Sequence, residues 1–254
     1  MNALERFAPL PLQDGFDNAG LQIGLTEVEA TGALLCLDVT EAVVDEAIAL
    51  GFNLIVSHHP LLFHGLKHIS GATYIERCAL KAIKNDIVIY SAHTNLDNAP
   101  GGVNYKIAEK IGLHDVKILQ PKELESTAGS GVIGMLDEPE TELEFLKRIK
   151  KTFEVECLRH NKLTGRLIQK VALCGGAGSF LMPDAQRQGA DVFITGEIKY
   201  HEFFDYDKGM LVAEIGHYES EQYTKELLAT IISEKFPSLE IEITKINTNP
   251  IKYL

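Results

Sequence analysis

The sequence holds 254 residues, enough for one large α/β domain or two small ones, with an ordinary apolar share of 45%. A formal net charge of -12 sets it against nucleic acid and anionic lipid, and no Lys/Arg cluster interleaved with aromatics offsets that repulsion. No apolar run approaches the roughly 20 residues of a membrane-spanning helix, and Met1 to Leu10, with Glu5, Arg6 and Pro9, does not read as a signal peptide; cytoplasm is the expected compartment, with no membrane partner.

In chain order, Ala33 to Leu37 reads as a strand and Thr40 to Leu50 as a helix. Asn53 to Val56 is a strand, Ile75 to Lys84 a helix, Ile87 to Ser91 a strand and Asn104 to Ile111 a helix. A second cycle follows: strands at Lys117 to Leu119 and Ser130 to Met135, a helix from Glu142 to Phe153, and a strand at Lys170 to Leu173. Then come a helix at Pro183 to Gln188, strands at Asp191 to Thr195 and Met210 to Ile215, an amphipathic helix from Ser220 to Lys235, and a last strand at Leu239 to Ile243. Strands alternating with helices predict an α/β protein with parallel or mixed sheets. Cys36, Cys78, Cys157 and Cys174 form no C-x-x-C pair, and Cys36 and Cys174 lie in strand-like runs as small buried hydrophobes.

The two cycles overlay. A shift of 138 residues puts Cys36 on Cys174, Gly51 on Gly189, Asn53 on Asp191, Ser57 on Thr195 and His59 on Glu197; a shift of 124 then puts His93 on His217 and Asp97 on Glu221. This predicts two pseudo-symmetric α/β repeats, residues 1–125 and 126–254, closely packed.

Three segments carry ionisable residues at predicted strand tips, where α/β sheets place ligands. In Asn53-Leu-Ile-Val-Ser-His-His-Pro60, adjacent histidines of an extended chain point to opposite sides, so His58 and His59 suit two different ions better than one. Pro60 keeps His59 extended. The plainer alternative is a pair of solvated loop histidines. In Tyr90-Ser-Ala-His-Thr-Asn-Leu-Asp97, Asp97 offers hard oxygen and His93 is a ligand, a proton shuttle or an orienting partner; a turn cap and a structural histidine are the alternative. In Gly216-His-Tyr-Glu-Ser-Glu221, His217 and Glu221 share one face of the helix they open, while Glu219 lies off that face and is expected in solvent. Such an i,i+4 pair is commonly a surface contact, but its match to His93 and Asp97 in the repeat favours ligation.

Five ligands exceed what one tetrahedral zinc needs. They suit two ions roughly 3.5–4 Å apart with a bridging carboxylate. On this reading His58 and Asp97 serve one ion, His59 and His217 the other, and Glu221 bridges. Mixed N/O donors without thiolate fit zinc, iron, manganese, cobalt or nickel.

Together with Asp17-Asn-Ala-Gly-Leu-Gln-Ile-Gly24, Pro100-Gly-Gly-Val-Asn104 and Gly175-Gly-Ala-Gly178, these segments make the sequence resemble the GTP cyclohydrolase 1 type 2 (NIF-three-like) family over nearly its whole length. The resemblance implies two interlocked α/β repeats, two divalent metal ions per subunit on the five ligands above, and a toroidal homohexamer, a trimer of dimers. It also implies opening of the guanine ring of GTP with release of formate and formation of dihydroneopterin triphosphate, with His93 or Glu197 moving protons. Phe16 stands where the family has Trp, Tyr105 where it has Asp, and the N-terminal helix is short. The Lys117 to Leu143 connection leaves no room for the extra domain some relatives insert.

Asp17, Asn18 and Gln22 are candidate lining residues or simply a turn before Gly20; the turn from Gly175 to Ser179 is a candidate phosphate cradle or a plain tight turn. His64, Lys67 and His68 could meet an anionic substrate, and His201 has no assigned role. A metal-dependent phosphoesterase, a non-enzymatic metal-binding scaffold and a DNA-binding ring are the competing functions; the acidic balance disfavours DNA.

Overall fold

Three helices begin on a threonine whose hydroxyl accepts the amide three residues on: Thr40 before Glu41–Leu50, Thr73 before Tyr74–Lys84, and Thr141 before Glu142–Thr152, where Glu144 completes a capping box. The computed structural model describes residues 1–123, 126–206 and 209–254. The chain runs α1 (Asn2–Phe7), β1 (Gly20–Ile23), β2 (Ala33–Cys36), α2 (Glu41–Leu50), β3 (Leu54–Ser57), α3 (Tyr74–Lys84), β4 (Val88–Ser91) and α4 (Thr94–Asp97). It continues through α5 (Val103–Ile111), β5 (His114–Pro121), β6 (Gly129–Thr141), α6 (Glu142–Thr152), β7 (Arg159–His160), β8 (Leu167–Cys174) and α7 (Met182–Arg187). Then follow β9 (Val192–Thr195), β10 (Leu211–Glu214), α8 (His217–Glu221), α9 (Thr224–Lys235) and β11 (Ile241–Ile243). Among the described residues no helix is long and apolar enough to cross a membrane.

Two compact units result. The first comprises residues 1–96 and 224–250, the second 97–223 and 251–254. Residue 125, where the sequence places the division between repeats, lies outside the described residues, and the units divide elsewhere. Helix α9 packs on β2, β11 and α1, which draws it into the first unit, and α5 packs on β6 and β8 of the second.

Both sheets are mixed. In the first, ordered β1-β4-β3-β2-β11, strands β4, β3, β2 and β11 are parallel and β1 closes the edge antiparallel to β4. In the second, ordered β5-β6-β8-β9-β10-β7, the parallel trio β8-β9-β10 is flanked by antiparallel neighbours. The first unit buries Leu34, Val43, Ile55 and Ile89 in its core, the second Ala172, Met182, Phe193 and Val212. Each such side chain taken from water stabilises by about 1.5–3 kcal/mol, less for alanine.

Individual pairings and hydrogen bonds match at the shift of 138 residues seen in the sequence. Cys36 pairs with Ser57 across β2 and β3, and Cys174 with Thr195 across β8 and β9. The Asn53 side chain accepts the amide of Thr31, and Asp191 accepts that of Gln169, its counterpart at the same shift. Gly51 and Gly189 both take left-handed φ, +74° and +70°, where the chain leaves a helix. Past that point the copies slip by one residue: Ser57 pairs with Ser91, but Thr195 pairs with Glu214, so His217 lies three residues beyond its strand where His93 lies two. Gly216, at φ +92°, lies in the longer connection.

Candidate metal centre

Strands β2, β3 and β4 end side by side, and each tip contributes to one cluster in the first unit. The ladder runs slightly past the strands: the amides of His58 and His59 donate to the carbonyls of Cys36 and Leu37 at 3.2 and 2.9 Å, and that of Ala92 to Ser57 at 2.9 Å. Ser57 and Ser91 bond each other through their hydroxyls at 2.7 Å. Side chains beyond these tips are thereby set on a rigid edge.

Three imidazoles converge there. Ring centroids are 4.9 Å apart for His58 and His59, 5.3 Å for His58 and His93, and 5.5 Å for His59 and His93. Each ring offers one nitrogen to a group whose ligand atoms all lie within 4.8 Å of one another. Which nitrogen faces inward follows from what holds the other. His58 Nδ1 lies 2.8 Å from the carbonyl of Ala92, His59 Nδ1 2.7 Å from Asp38 Oδ1, and His93 Nδ1 2.7 Å from Asp17 Oδ1. A carbonyl or carboxylate oxygen only accepts, so Nδ1 carries the proton in all three and Nε2 carries the lone pair.

The orienting carboxylates are themselves held. Asp17 accepts from the amide of Thr94 at 3.0 Å and from its hydroxyl. Burial pushes its pKa up, but the bonds and charge of His93 and the bonds of Thr94 outweigh this and bring it down to about 2. Asp38 accepts from the Thr248 hydroxyl at 2.6 Å; burial raises its carboxyl too, and the pairing with His59 more than reverses that.

The second unit repeats the device. At the tip of β10, His217 Nδ1 lies 2.7 Å from Glu197 Oε1 and its Nε2 lies 3.1 Å from Glu221 Oε2 one helical turn on, so both ring nitrogens face a carboxylate oxygen. Glu221 is buried. It lies against the turn after β8, where a Cβ on Gly176 would overlap its Oε1 and come within 3.3 Å of His217 Cε1. Asn104 receives the Gly175 amide at 2.9 Å and donates to the carbonyl of Asp97 at 3.1 Å, while the Gly176 amide donates to Ser220 Oγ at 3.0 Å. The main chain at Asp97, the glycine turn and α8 are thus tied into one framework.

Several expectations change. Glu219 is buried, because Gly216 lacks the side chain that would occupy the space its carboxylate takes. The amides of Gly175, Gly176 and Gly178 donate to Asn104, Ser220 and Thr195 within the protein, so that turn does not present them as a phosphate cradle; its glycines admit Glu221. Asp17 does more than form a turn, since it fixes His93. Glu197 holds His217. His64, Lys67 and His68 lie on an exposed loop, and His201 is exposed beside Tyr200 and Phe204. Sequence reasoning passed over Asp38 and Thr248. Asp38 had a signal, two residues past a strand tip like the other candidates; Thr248 had none.

In the first unit, His58, His59 and His93, with Nδ1 held by an oxygen acceptor and their other nitrogens close together, are a donor set that could hold a divalent transition ion. The residues present fit such an ion.

A family described as Duf34/NIF3 (NGG1p interacting factor 3) matches residues 1–250. A relative from Clostridium perfringens, named GTP cyclohydrolase 1 type 2 homolog, is 37% identical over 256 aligned positions, covering all of this chain and 98% of that one. Among solved structures, a hypothetical protein of Staphylococcus aureus superposes with a TM-score of 0.92 at 31% identity, covering 100% of this chain and 97% of that one. A Bacillus cereus protein related to NIF3 does so at 0.89 and 26%, with 100% and 97% covered.

Proposed function

The chain belongs to the Duf34/NIF3 (NGG1p interacting factor 3) family, and from that premise we propose that it is a metal-dependent hydrolase whose His58, His59, Asp97, His217 and Glu221 hold two divalent cations. The observation that carries this reading is the shared tautomer of adjacent histidines: His58 and His59 each have Nδ1 bonded to an oxygen acceptor and so offer Nε2. Two bound cations supply Lewis acidity and lower the pKa of water. The candidate reaction is the one in the relatives' name, in which GTP and water give formate and dihydroneopterin triphosphate.

The chain's own residues then have distinct tasks. His93, protonated on Nδ1 by its bond to Asp17, takes a proton at Nε2, and the Asp17 carboxylate stabilises the imidazolium that forms. Glu197 keeps His217 in its ligating tautomer and, with a side chain 60% exposed, exchanges protons with solvent. Asp38 and Thr248 fix His59. The assembly proposed for this chemistry is a toroidal homohexamer, a trimer of dimers.

Protein purified without chelator is expected to carry close to two transition-metal ions per chain by elemental analysis, and light scattering to return six copies of the 28.0 kDa chain. Metal-loaded protein is expected to release formate from GTP above a His58→Ala/Asp97→Ala control. Formate no higher than the control rejects the cyclohydrolase reaction; metal content that His58→Ala and Asp97→Ala leave unchanged rejects the site.

A further inference from the structure

Phe63 and Phe16 stand beside the histidine cluster, in the same unit. The Phe63 ring meets the His93 ring edge to face, centroids 6.1 Å apart at 80°, and lies 6.2 Å from Phe16 at a tilt of 49°. Both rings reach solvent, Phe63 at 37% and Phe16 at 67% exposure. An isolated exposed apolar residue is ordinary. What distinguishes this pair is the framework behind it. Asn18 Nδ2 donates to the carbonyl of Leu62 at 2.7 Å, and the amide of Leu62 donates to Gln22 Oε1 at 3.1 Å. Gln22 Nε2 donates to the carbonyl of Asn18 at 2.6 Å, and the Asn18 amide donates to Asp17 Oδ1 at 2.6 Å, the same oxygen that holds His93. One short segment, Asp17 to Gln22, therefore fixes both the His93 imidazole and the backbone that presents Phe63. Two amide side chains are committed to locking the residue next to a ring left in water. Apolar surface fixed in advance beside a polar centre is how a binding site limits the ordering cost of its ligand.

We propose that Phe63, with Phe16 beside it, is a stacking platform for a planar heteroaromatic ring of the substrate, which it delivers to the His93 side of the cluster. This rests on the hydrolase reading and gives that site a substrate class: recognition through the flat ring rather than through a phosphate chain. Aromatic faces of this kind stack on any base, since every base has a π face.

The chain has no tryptophan, so Phe16→Trp places a single indole on the platform and keeps it aromatic. Titration of this variant with guanosine, GTP and inorganic tripolyphosphate, with and without added zinc, reads stacking as quenching of the indole. Guanosine and GTP are expected to quench and tripolyphosphate is not. In the same background Phe63→Leu, which keeps apolar bulk and removes the π face, is expected to weaken guanosine about tenfold, or about 1.4 kcal/mol, and Phe63→Tyr to restore it. Quenching indifferent to Phe63→Leu, or tripolyphosphate binding while guanosine has no effect, overturns the proposal. Emission that follows protein concentration and ignores guanosine overturns it too, since a second copy of the chain then covers the rings. Quenching in protein that takes up no zinc keeps the platform and sinks the metal reading, which separates the two failures.

Discussion

Alanine at Gly176 and at Gly189 separates backbone strain from displacement of a ligand. Both glycines are left-handed, at φ +60° and +70°, and both lie in the second unit. An L-residue there costs about 1–2 kcal/mol, and lost freedom in the unfolded chain returns about 0.4–1 kcal/mol, so each substitution costs about 1 kcal/mol from the backbone alone. At Gly189 nothing lies within 4 Å of the added methyl, and the cost ends there. At Gly176 the methyl overlaps Glu221 Oε1. That oxygen ends a flexible side chain, so the overlap is relieved by moving the carboxylate, and the metal-free stabilities of the two variants stay within about 1 kcal/mol of each other. The loss then appears on metal binding. A ligand at 100 times its Kd stabilises by about 2.7 kcal/mol. A displaced Glu221 that raises Kd about 100-fold leaves about 0.4 kcal/mol of that. At about 2–4 °C per kcal/mol for a chain of this length, the zinc-induced rise in Tm falls by about 5–9 °C in Gly176→Ala and is unchanged in Gly189→Ala. Thermal unfolding at fixed zinc, with and without chelator, reads the difference directly. A Gly176→Ala protein with the same zinc-induced rise as Gly189→Ala would refute the placement of Glu221 among the ligands.

Asp38→Asn removes the charge that fixes the His59 tautomer; loss of such an orienting carboxylate weakens metal binding about 10- to 100-fold, to be measured by competition with a chelator, and unchanged affinity would remove Asp38 from the site. Asp17 has its folded pKa depressed to about 2 from 3.8, so its contribution is present above pH 4 and lost as pH falls towards 2. With a fully buried side chain the contribution is about 2 kcal/mol; the gap in urea stability between wild type and Asp17→Asn should narrow over that interval, and a gap constant with pH counts against the assignment.

Much of the fold was legible because most elements satisfy a local rule. The run from Ala33, those from Asn53 and Asp191, and the threonine-led helices announce themselves by pattern and cap. The elements that escaped depend on a distant partner. Strand β1 is Gly-Leu-Gln-Ile, and it is a strand because Gly20 and Leu21 pair with Ser91 and Tyr90; β7 is two residues long and exists through its pairing with Ala213 and Glu214. Edge strands of this length have no periodicity of their own to read. The predicted helix from Ser220 to Lys235 holds over Thr224–Lys235 but is interrupted before it for a similar reason. Its pattern runs through Gln222 and Tyr223, but their side chains reach the carbonyls of Phe153 and Thr152 at 3.0 and 2.7 Å, and α8 and α9 are separate helices on either side. The unit boundaries at 96/97 and 223/224 carry no shift in composition because both fall where the chain continues without a linker.

The site shows the same division between what a residue is and what holds it. His58, His59, His93 and His217 were found because imidazoles at strand tips are uncommon enough to notice, and the repeat then paired His93 with His217. Nothing in the sequence distinguishes a histidine that offers Nε2 from one that offers Nδ1. That choice rests on Ala92, Asp38, Asp17 and Glu197, four acceptors at sequence distances of 34, 21, 76 and 20 residues. Their origin in the chain differs between the two units. His93 is oriented by Asp17, which precedes the first repeat's parallel strands, while His217 is oriented by Glu197, which follows β9. The strand ends set where the imidazoles stand, and in each unit a different loop brings the orienting acceptor within 2.7 Å. The correspondence between the two units therefore extends to strand register and ligand spacing, and it ends at the groups that decide what those ligands can do.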